Sequence, residues 1–287
     1  MSGIKLAALD LDGTLFNNNS QISEGNLSAI RRITEAGVHA VISTGRPFAG
    51  IPFAQLKNTG IDYAITTNGA AIYRISTGEC LCEEPLDDET VFPILDFLLS
   101  KDIHMDAFIG GKGYSPRQCL TVGKRLNVPD ELKKYIVETR IRVDDLPGFI
   151  REKQLRVQKM TLNFYQDTDG NYVDREEVRQ FLEGNPAISC VCGGFHNLEF
   201  TRADVNKGRG LHTLSRILGI DPADTMAIGD TENDIAVLKA AGIAVAMGNA
   251  TDAVKAQADY ITDTNERDGV ARALMHFLPE LYCSHRI

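Results

Sequence analysis

The segment LAALDLDGTLF, residues 6–16, is the feature that most constrains how this chain folds. It begins as an uninterrupted apolar run, which is typical of a strand buried on both faces of a parallel sheet. The run ends in Asp10 and Asp12, with Leu11 between them and Gly-Thr immediately after. Two carboxylates at the end of a buried strand repel each other, and burial makes the repulsion worse. The sequence therefore predicts that a cationic group compensates this pair.

Strands and helices alternate in the first and last thirds of the chain. The runs IKLAALDLD, VHAVIST and DYAITTN are predicted strands, and a helix is predicted from a cap at Ser23 to Gly37. Toward the C-terminus TMAIGD, IAVAM and DYIT are predicted strands, and predicted helices end at Gly219 and Gly242. This alternation predicts an α/β fold with a Rossmann-like parallel-sheet core.

The middle of the chain has longer spacings and more charge. VQKMTLNFY and ISCVCGG are strand-like, and residues 173–182 are helix-like. Gly110–Gly113 lacks the full spacing of a phosphate loop, so a turn is the favoured interpretation. We therefore predict a core split into residues 1–84 and 198–287, with an α+β domain inserted at residues 85–197.

The bulk composition narrows the class of protein. Among 287 residues, 43% are hydrophobic and 24% are charged, as in a globular protein. The net charge of -9 argues against a nucleic-acid partner. We expect no membrane span, since no window approaches ~18 apolar residues, and no secretory signal, so a cytoplasmic location is predicted. A four-cysteine metal site remains an alternative, but reduced thiols are favoured because C-x-C lacks the usual zinc spacing: Cys80, Cys82, Cys190 and Cys192.

Polar residues that suit a ligand site follow several predicted strands or open the next helix. They are Thr44 in VISTGR, Asn68 in AITTNG, Lys207 in VNKG, Asp230 in MAIGDTEND, and Asn233 and Asp234 just after it. Taken singly, each has an ordinary interpretation as a turn residue, a helix cap or a surface charge. Together with Asp10 they would meet at one sheet edge, and the carboxyl ends of parallel strands are where ligands bind.

Electrostatics indicates what such a site would hold. Two like charges about 4 Å apart cost about 4 kcal/mol at an effective dielectric of about 20. Several carboxylates in one cleft therefore either take raised pKa values or share a cation. The candidate ligands are oxygen atoms alone, which favours Mg²⁺. A metal, a lysine and helix amino ends together predict a site for a phosphoryl group.

Four motifs, in order, resemble those of the haloacid dehalogenase superfamily of phosphatases. They are DLDGT at residues 10–14, STGR at 43–46, Lys207-Gly208, and GDTEND at 229–234. The inserted middle segment and the run GIAVAMGNA resemble the Cof-type subfamily with its type IIB cap. TGRPFAG and VNKG are most similar to bacterial sugar phosphatases of that subfamily.

The resemblance implies a role for each motif residue. Asp10 would be the nucleophile, and Asp12 would protonate the leaving oxygen and then activate water. Mg²⁺ would be held by the Asp10 carboxylate, the Asp12 carbonyl and Asp230, with Asp234 in or next to the shell. Three further side chains would hold the phosphate oxygens: Thr44, Lys207 and Asn233. The inserted domain would close over the cleft and contact the leaving group.

The predicted function is Mg²⁺-dependent hydrolysis of small phosphorylated metabolites, with sugar phosphates favoured as substrates. Alternatives are a phosphomutase, a phosphatase for pyridoxal phosphate or flavin mononucleotide, and a non-enzymatic phospho-switch. Asp12 argues against the switch, because a second carboxylate can activate water. Within the insert, His104, Arg117 and His196 are basic, but each is favoured as a surface or core residue. We predict neither a nucleic-acid nor a membrane partner, and the sequence carries no prediction of oligomeric state.

Overall fold

A computed structural model describes residues 3–282 of the chain, which form two compact units. The first unit contains the residues up to Gly45, then Ile51–Cys82, and the residues from Asn206 onward. The second unit contains Arg46–Gly50 and Glu83–Val205. A short segment after the second strand is therefore part of the second unit, although most of that unit is one long insertion.

The described strands are, in chain order, β1 (Leu6–Leu9), β2 (His39–Ser43), β3 (Tyr63–Thr66), β4 (Ala71–Arg74), β5 (Glu79–Glu83), β6 (His104–Ile109), β7 (Lys112–Pro116), β8 (Ile141–Val143), β9 (Val157–Asn163), β10 (Ile188–Val191), β11 (Leu198–Arg202), β12 (Thr225–Gly229), β13 (Ile243–Ala246) and β14 (Tyr260–Ile261). The α-helices are α1 (Glu24–Glu35), α2 (Asp88–Leu98), α3 (Leu120–Arg125), α4 (Asp130–Glu138), α5 (Leu146–Glu152), α6 (Arg175–Glu183), α7 (Lys207–Leu218), α8 (Ile235–Ala240), α9 (Asp252–Lys255) and α10 (Gly269–Phe277).

The sheet of the first unit has the order β14-β13-β12-β1-β2-β3-β4-β5. The strands from β14 to β3 run parallel to their neighbours, and β4 is antiparallel to β3. Strand β1 is central, with Leu6 beside Thr225 on one side and His39 on the other. All four residues of β1 are buried, which explains its continuous apolar sequence. The predicted α/β fold with a parallel-sheet core is confirmed.

The first strand is shorter than the sequence predicts. It ends at Leu9, and residues Leu11–Leu15 form a wide turn in place of a continued strand. The Leu15 amide donates to the Asp10 carbonyl at 3.2 Å, and the Phe16 amide donates to the Leu11 carbonyl at 2.8 Å. Gly13 allows the backbone to form this turn, because it adopts φ +81°, a conformation that other residues disfavour.

The helices of the first unit begin and end where capping residues allow. The Ser23 side chain accepts from the Asn26 amide at the start of α1, as predicted. Helix α7 begins after Asn206, whose side chain accepts from the Arg209 amide, and it ends at Gly219 with φ +68°. Helix α1 packs against α10, and α7 packs against α8 and β3.

The sheet of the second unit has the order β10-β11-β9-β6-β7-β8 and is antiparallel except between β7 and β8. Gly110 and Gly111 form the turn between β6 and β7, with positive φ at both, so a turn is present as predicted. Strand β11 pairs with β9, and its Leu198 and Phe200 lie in the apolar core of this unit. The predicted boundary at residues 197 and 198 therefore precedes a strand of the second sheet, and the contacts place the boundary after Val205.

Among residues 3–282, no helix has both the length and the apolar character needed to cross a bilayer.

Candidate active site

The carboxyl ends of β1 and β12 carry the acidic residues of the site. Asp10 follows β1 directly and is only 4% exposed, and its amide donates to the Ile228 carbonyl of β12 at 3.1 Å. Asp230 follows β12 and is 7% exposed. The two strands are neighbours, so the sheet register itself brings Asp10 and Asp230 to the same edge.

The turn after Asp10 is fitted closely against Asp230. Thr14 Oγ1 donates to Asp230 Oδ1 at 3.0 Å, and a Cβ added to Gly13 would overlap the Asp230 carboxylate. Asn249 Nδ2 donates to the Gly13 carbonyl at 2.8 Å, and the Asn265 amide donates to Asn249 Oδ1 at 2.9 Å. The turn is thus held by hydrogen bonds on two sides, while the Asp12 side chain that it carries is exposed.

Asp234 caps the turn that follows β12. Its Oδ2 accepts from the Asp230 amide at 3.0 Å and from the Thr231 amide at 3.1 Å, within a capping box formed with Thr231. Gly229 leaves room for this carboxylate, because a Cβ there would overlap Asp234. The helix-capping interpretation of Asp234 is therefore correct, and the same side chain also joins the acidic cluster.

Lys207 connects the acidic residues. It is the first residue of α7 and is 1% exposed. Its Nζ donates to Asp10 Oδ1 at 2.7 Å and to Asp234 Oδ1 at 2.6 Å, and it lies 3.2 Å from Asn233 Oδ1. Burial lowers the pKa of the Lys207 ammonium, but the Asp10 and Asp234 carboxylates outweigh it and hold the pKa above its ordinary value. Lys207 is therefore charged.

Asn233 links the lysine to the neighbouring strand ends. Its Oδ1 also accepts from Thr231 Oγ1 at 2.9 Å, and its Nδ2 donates to Asn68 Oδ1 at 3.3 Å. The Asn68 amide donates to the Thr44 carbonyl at 3.2 Å, so this chain of contacts reaches the end of β2. Thr44 itself is buried.

Three carboxylates form the compact core of the site. Asp10, Asp230 and Asp234 each offer an oxygen within 4.8 Å of the others. Burial, followed by repulsion from Asp234, raises the pKa of Asp10 well above its ordinary value. The same causes raise the pKa of Asp230 to about 7. Each carboxyl thus resists ionisation where it stands, although Lys207 favours it.

The charge balance of this cluster fits a divalent cation. Three buried carboxyls share a single ammonium, so full ionisation of all three would leave two uncompensated negative charges. The donors are oxygen atoms, the ligand type that Mg²⁺ prefers. Among residues 3–282, these three aspartates are the one group of His, Cys, Asp and Glu side chains with a geometry able to hold a metal. The alternative four-cysteine site has no such geometry.

Most of the predicted site residues are brought together. Asp10, Lys207, Asp230, Asn233 and Asp234 form one hydrogen-bonded cluster with its neighbours, as the joint pattern of strand ends predicts. Asp12 lies beside them, and its charge helps raise the pKa of Asp10. Sequence reasoning missed Asn249, which donates to the Gly13 carbonyl, and Asn206, which caps α7. The available signals were their positions, one shortly after the strand IAVAM and the other immediately before Lys207.

The basic residues considered in the second unit are surface or core residues, as favoured. His104 is fully buried, and desolvation lowers its pKa, so it is neutral at pH 7. Arg117 is exposed and donates to Asp144 Oδ1 at 2.7 Å. His196 is exposed and its ring lies 4.8 Å from that of Tyr172.

The motifs and the fold have counterparts among known proteins. A family model for haloacid dehalogenase-like hydrolases matches residues 7–274. Phosphatase YwpJ of Bacillus subtilis is 31% identical over 287 residues, covering 96% of this chain and 100% of its own. A haloacid dehalogenase-like hydrolase from B. subtilis superposes with a TM-score of 0.82 at 29% identity, covering 96% of this chain and 100% of that one. The subclass IIB sugar phosphatase BT4131 superposes with a TM-score of 0.78 at 27% identity, covering 95% and 98%.

The chain therefore belongs to the haloacid dehalogenase-like hydrolases. Within that family it is of the Cof type, and its enzyme class is that of the phosphatases.

Proposed function

We propose that this enzyme is a Mg²⁺-dependent phosphatase that hydrolyses phosphate monoesters of small sugars or sugar alcohols through an aspartyl-phosphate on Asp10. The observation that carries the proposal is the position of Lys207 Nζ, 2.7 Å from Asp10 Oδ1 and 2.6 Å from Asp234 Oδ1. A buried ammonium beside a buried carboxylate at a strand end is suited to hold a phosphate oxygen next to its nucleophile.

The proposed metal ligands are the Asp10 carboxylate, the Asp12 carbonyl and the Asp230 carboxylate. Bound there, Mg²⁺ would supply positive charge that neutralises the phosphate oxygens. Asp234 engages Lys207 through Oδ1 and two backbone amides through Oδ2, which supports an indirect role. We infer that Asp234 orients Lys207 and the Asp230 loop, as groups outside the ligand set commonly do.

In the proposed reaction, an Asp10 carboxylate oxygen attacks phosphorus and the bond to the ester oxygen breaks. Asp12, in its carboxylic acid form, gives its proton to that oxygen, so the leaving group departs as an alcohol. Asp12 then takes a proton from water, and the water oxygen attacks phosphorus and restores the Asp10 carboxylate with release of inorganic phosphate. The exposed position of Asp12 supports this role, because an exposed carboxyl can exchange protons with water.

The proposed phosphate-binding residues lie on three elements. Thr44 follows β2, Lys207 opens α7, and Asn233 follows β12. Their support is the hydrogen-bond chain from Lys207 through Asn233 and Asn68 to Thr44. Phosphoryl transfer depends mainly on positioning and charge neutralisation, which such a rigid set provides.

The substrate class rests on the relatives. YcsE of B. subtilis, 33% identical over 96% of each chain, is a 5-amino-6-(5-phospho-D-ribitylamino)uracil phosphatase, and YwtE, 31% identical, carries the same name. BT4131 is a sugar phosphatase. Both kinds of substrate carry a phosphate on a polyhydroxylated carbon chain. We propose that class for this enzyme, with the ribitylaminouracil phosphate as a second candidate within it, and we propose that the inserted unit selects the leaving group.

Phosphate release from a substrate panel tests this proposal. The panel contains sugar phosphates, the ribitylaminouracil phosphate, nucleotides, pyridoxal phosphate and flavin mononucleotide, each with Mg²⁺ and with EDTA. We expect Mg²⁺-dependent release that is fastest with the polyhydroxylated esters. Preference for the cofactor phosphates would overturn the substrate class, and activity in EDTA would overturn the metal dependence. An isomeric sugar phosphate without free phosphate would identify a mutase.

We also propose that the enzyme acts in the cytoplasm. Support comes from its substrate class, because charged phosphate esters do not cross a bilayer unaided and stay in the compartment that makes them. Cell fractionation followed by immunoblotting checks this location.

A further inference from the structure

Strands β3 and β4 of the first unit are joined by a strained turn, residues 67–70. Thr67, Asn68 and Gly69 have φ values of +51°, +56° and +94°, so three successive residues lie in the left-handed region. Glycine adopts this region freely and asparagine tolerates it, but a β-branched residue such as Thr67 is an outlier there. Four-residue hairpin loops are usually built on a type I turn, which needs no such conformation. The residues around this turn must therefore hold it in place.

The buried state of the turn adds to its cost. Thr67 is fully buried, and among residues 3–282 its Oγ1 has no hydrogen-bond partner. A buried hydroxyl without a partner destabilises the folded state, as does the left-handed backbone of the same residue. Strain of this kind is concentrated at functional sites, so we asked which functional residues the turn contacts.

The turn is packed against the start of α7. A Cβ added to Gly69 would overlap the Asn206 carbonyl, and one added to Gly210 would lie 3.1 Å from Gly69 Cα. The two glycines thus allow the backbone of the turn and that of the helix to approach closely. Asn206 caps α7 and immediately precedes Lys207. The turn is therefore fixed beside the proposed phosphate-binding lysine.

Asn68 connects this turn to Asn233. Its Oδ1 accepts from Asn233 Nδ2 at 3.3 Å, while Asn233 Oδ1 accepts from Thr231 Oγ1 and lies 3.2 Å from Lys207 Nζ. Both ends of the Asn233 amide are thereby held. An amide nitrogen carries two N–H groups, so Asn233 Nδ2 can donate to Asn68 and to a phosphate oxygen at once. The Asn68 backbone amide donates to the Thr44 carbonyl at 3.2 Å, so the same residue also contacts the end of β2.

We propose that Asn68 is a positioning residue for phosphoryl transfer: held in the strained turn, its side chain orients the Asn233 amide for the phosphate. This inference rests on the proposed phosphate-binding role of Asn233, and all its contacts lie within the first unit. Misplacement of a binding group by about 1 Å costs about 10²-fold in rate. Loss of the Asn68 side chain therefore lowers kcat even when the turn itself is preserved.

A set of matched variants tests the proposal. Asn68→Gly removes the side chain and keeps the left-handed backbone, and Asn68→Asp keeps an oxygen acceptor at the same position. Asn58→Gly is the control, because Asn58 is an exposed asparagine of the same unit with a similar φ of +63°. Each variant is measured for its unfolding temperature, for kcat and KM, and for its affinity for inorganic phosphate with Mg²⁺ by isothermal titration calorimetry.

We expect Asn68→Gly to lower kcat by about 10- to 100-fold and to weaken phosphate binding. Its unfolding temperature should stay close to that of the wild type, because relief of backbone strain offsets the loss of a hydrogen bond. Asn68→Asp should have a higher kcat than Asn68→Gly, and Asn58→Gly should keep kcat within about twofold of the wild type. A merely structural role for Asn68 predicts a lower unfolding temperature with kcat unchanged. That result, or an equal loss of kcat in Asn58→Gly, overturns the proposal.

A double-mutant cycle shows whether Asn68 acts through Asn233. If it does, Asn68→Gly causes little further loss of kcat or phosphate affinity in the Asn233→Ala background. Full additivity of the two losses contradicts the proposal.

A crystal structure of Asn68→Gly tests the positioning independently of activity. We expect the Asn233 side chain to adopt another rotamer or several, and an unchanged Asn233 rotamer overturns the proposal. Wild-type enzyme that releases no phosphate from any ester overturns the proposed function instead. The Asn233 rotamer in the variant then still decides whether Asn68 orients that side chain.

Discussion

Lys207 Nζ donates a hydrogen bond of 2.7 Å to Asp10 Oδ1, and the two residues are 197 positions apart in the chain. The contact arises because β1 ends at Asp10 while α7 begins at Lys207, on the edge of the same parallel sheet. It brings a charged ammonium against a carboxyl whose burial opposes ionisation. If the proposed mechanism holds, stability and catalysis depend on the same few charges.

Removing the Lys207 ammonium should lower both the stability and the activity of the enzyme. Lys207→Met leaves Asp10 and Asp234 buried without their cation, so we expect the free energy of unfolding in EDTA to fall by about 3–5 kcal/mol. Activity should fall by at least about 10²-fold. Lys153→Met is the control, because Lys153 pairs with Glu152 at 2.8 Å and both side chains are exposed, at 56% and 70%. Urea unfolding should leave that control nearly unchanged, and equal losses in the two variants would contradict the assigned role of Lys207.

Replacing Asp10, the proposed nucleophile, should separate stability from activity. Asp10→Asn should lower phosphate release by at least about 10²-fold, because no carboxylate remains to attack phosphorus. The same change relieves repulsion from Asp230 and Asp234, so the metal-free variant should unfold at a temperature equal to or above that of the wild type. Asp252→Asn, at an exposed helix start, should alter neither property. Near-normal turnover in Asp10→Asn would exclude the aspartyl-phosphate route.

The metal-free protein should lose stability as pH rises. The pKa of Asp230 is about 7 in the folded protein, and that of Asp10 is also raised, whereas unfolded aspartates titrate near 3.9. Between those values the folded state binds more protons than the unfolded state, so the free energy of unfolding falls from about pH 4 to about pH 7. Mg²⁺ competes with these protons, so its stabilising effect should grow over the same interval.

Thermal unfolding from pH 5 to pH 8, in EDTA and in excess Mg²⁺, measures both trends. Asp230→Asn should flatten the pH dependence in EDTA and reduce the effect of Mg²⁺. A metal-free protein that becomes more stable across this range would show that other groups dominate the titration.

Gly13 should tolerate no side chain, because an added Cβ would overlap Asp230. Gly37 separates this effect from that of backbone strain. Gly13 and Gly37 have similar φ values, +81° and +88°, but a Cβ on Gly37 meets no atom within 4 Å, whereas one on Gly13 overlaps Asp230. Gly37→Ala should cost about 1–3 kcal/mol of strain and keep Mg²⁺ affinity. Gly13→Ala should also weaken Mg²⁺ binding, by about 10- to 100-fold. Isothermal titration calorimetry measures the Mg²⁺ affinity of each variant. Equal affinities in Gly13→Ala and Gly37→Ala would mean that the overlap is relieved without moving Asp230.

Much of the site follows from the sequence because parallel sheets place strand ends at one edge. A continuous apolar run ending in Asp10, and another ending in Asp230, is enough to predict that the two carboxylates meet. The α/β fold follows from the same alternation of strands and helices. The end of β1 was missed by pattern alone, because Leu11 is as apolar and buried as the strand residues but belongs to the turn.

Other features depend on contacts between residues far apart, which local patterns do not encode. Strand β11 belongs to the second sheet because Leu198 and Phe200 complete its core, although LEF resembles any short strand. Likewise nothing near Arg46 indicates that it stacks on Tyr135, some ninety residues later. The division of labour in Asp234, with one oxygen for Lys207 and the other for two amides, also emerges only in three dimensions.

The central position of β1 in its sheet has a consequence for the order in which the parts of the site are synthesised. One neighbour of β1 is β2, which follows soon after it, but the other is β12, which begins at Thr225. A ribosome therefore delivers the proposed nucleophile, Asp10, early and delivers Lys207, Asp230 and Asp234 much later. Chains interrupted within the inserted unit carry Asp10 without Lys207 and Asp230, so the proposed mechanism predicts that they have no hydrolytic activity. The proposed site is therefore complete only after α7, β12 and the turn that follows β12 have been synthesised.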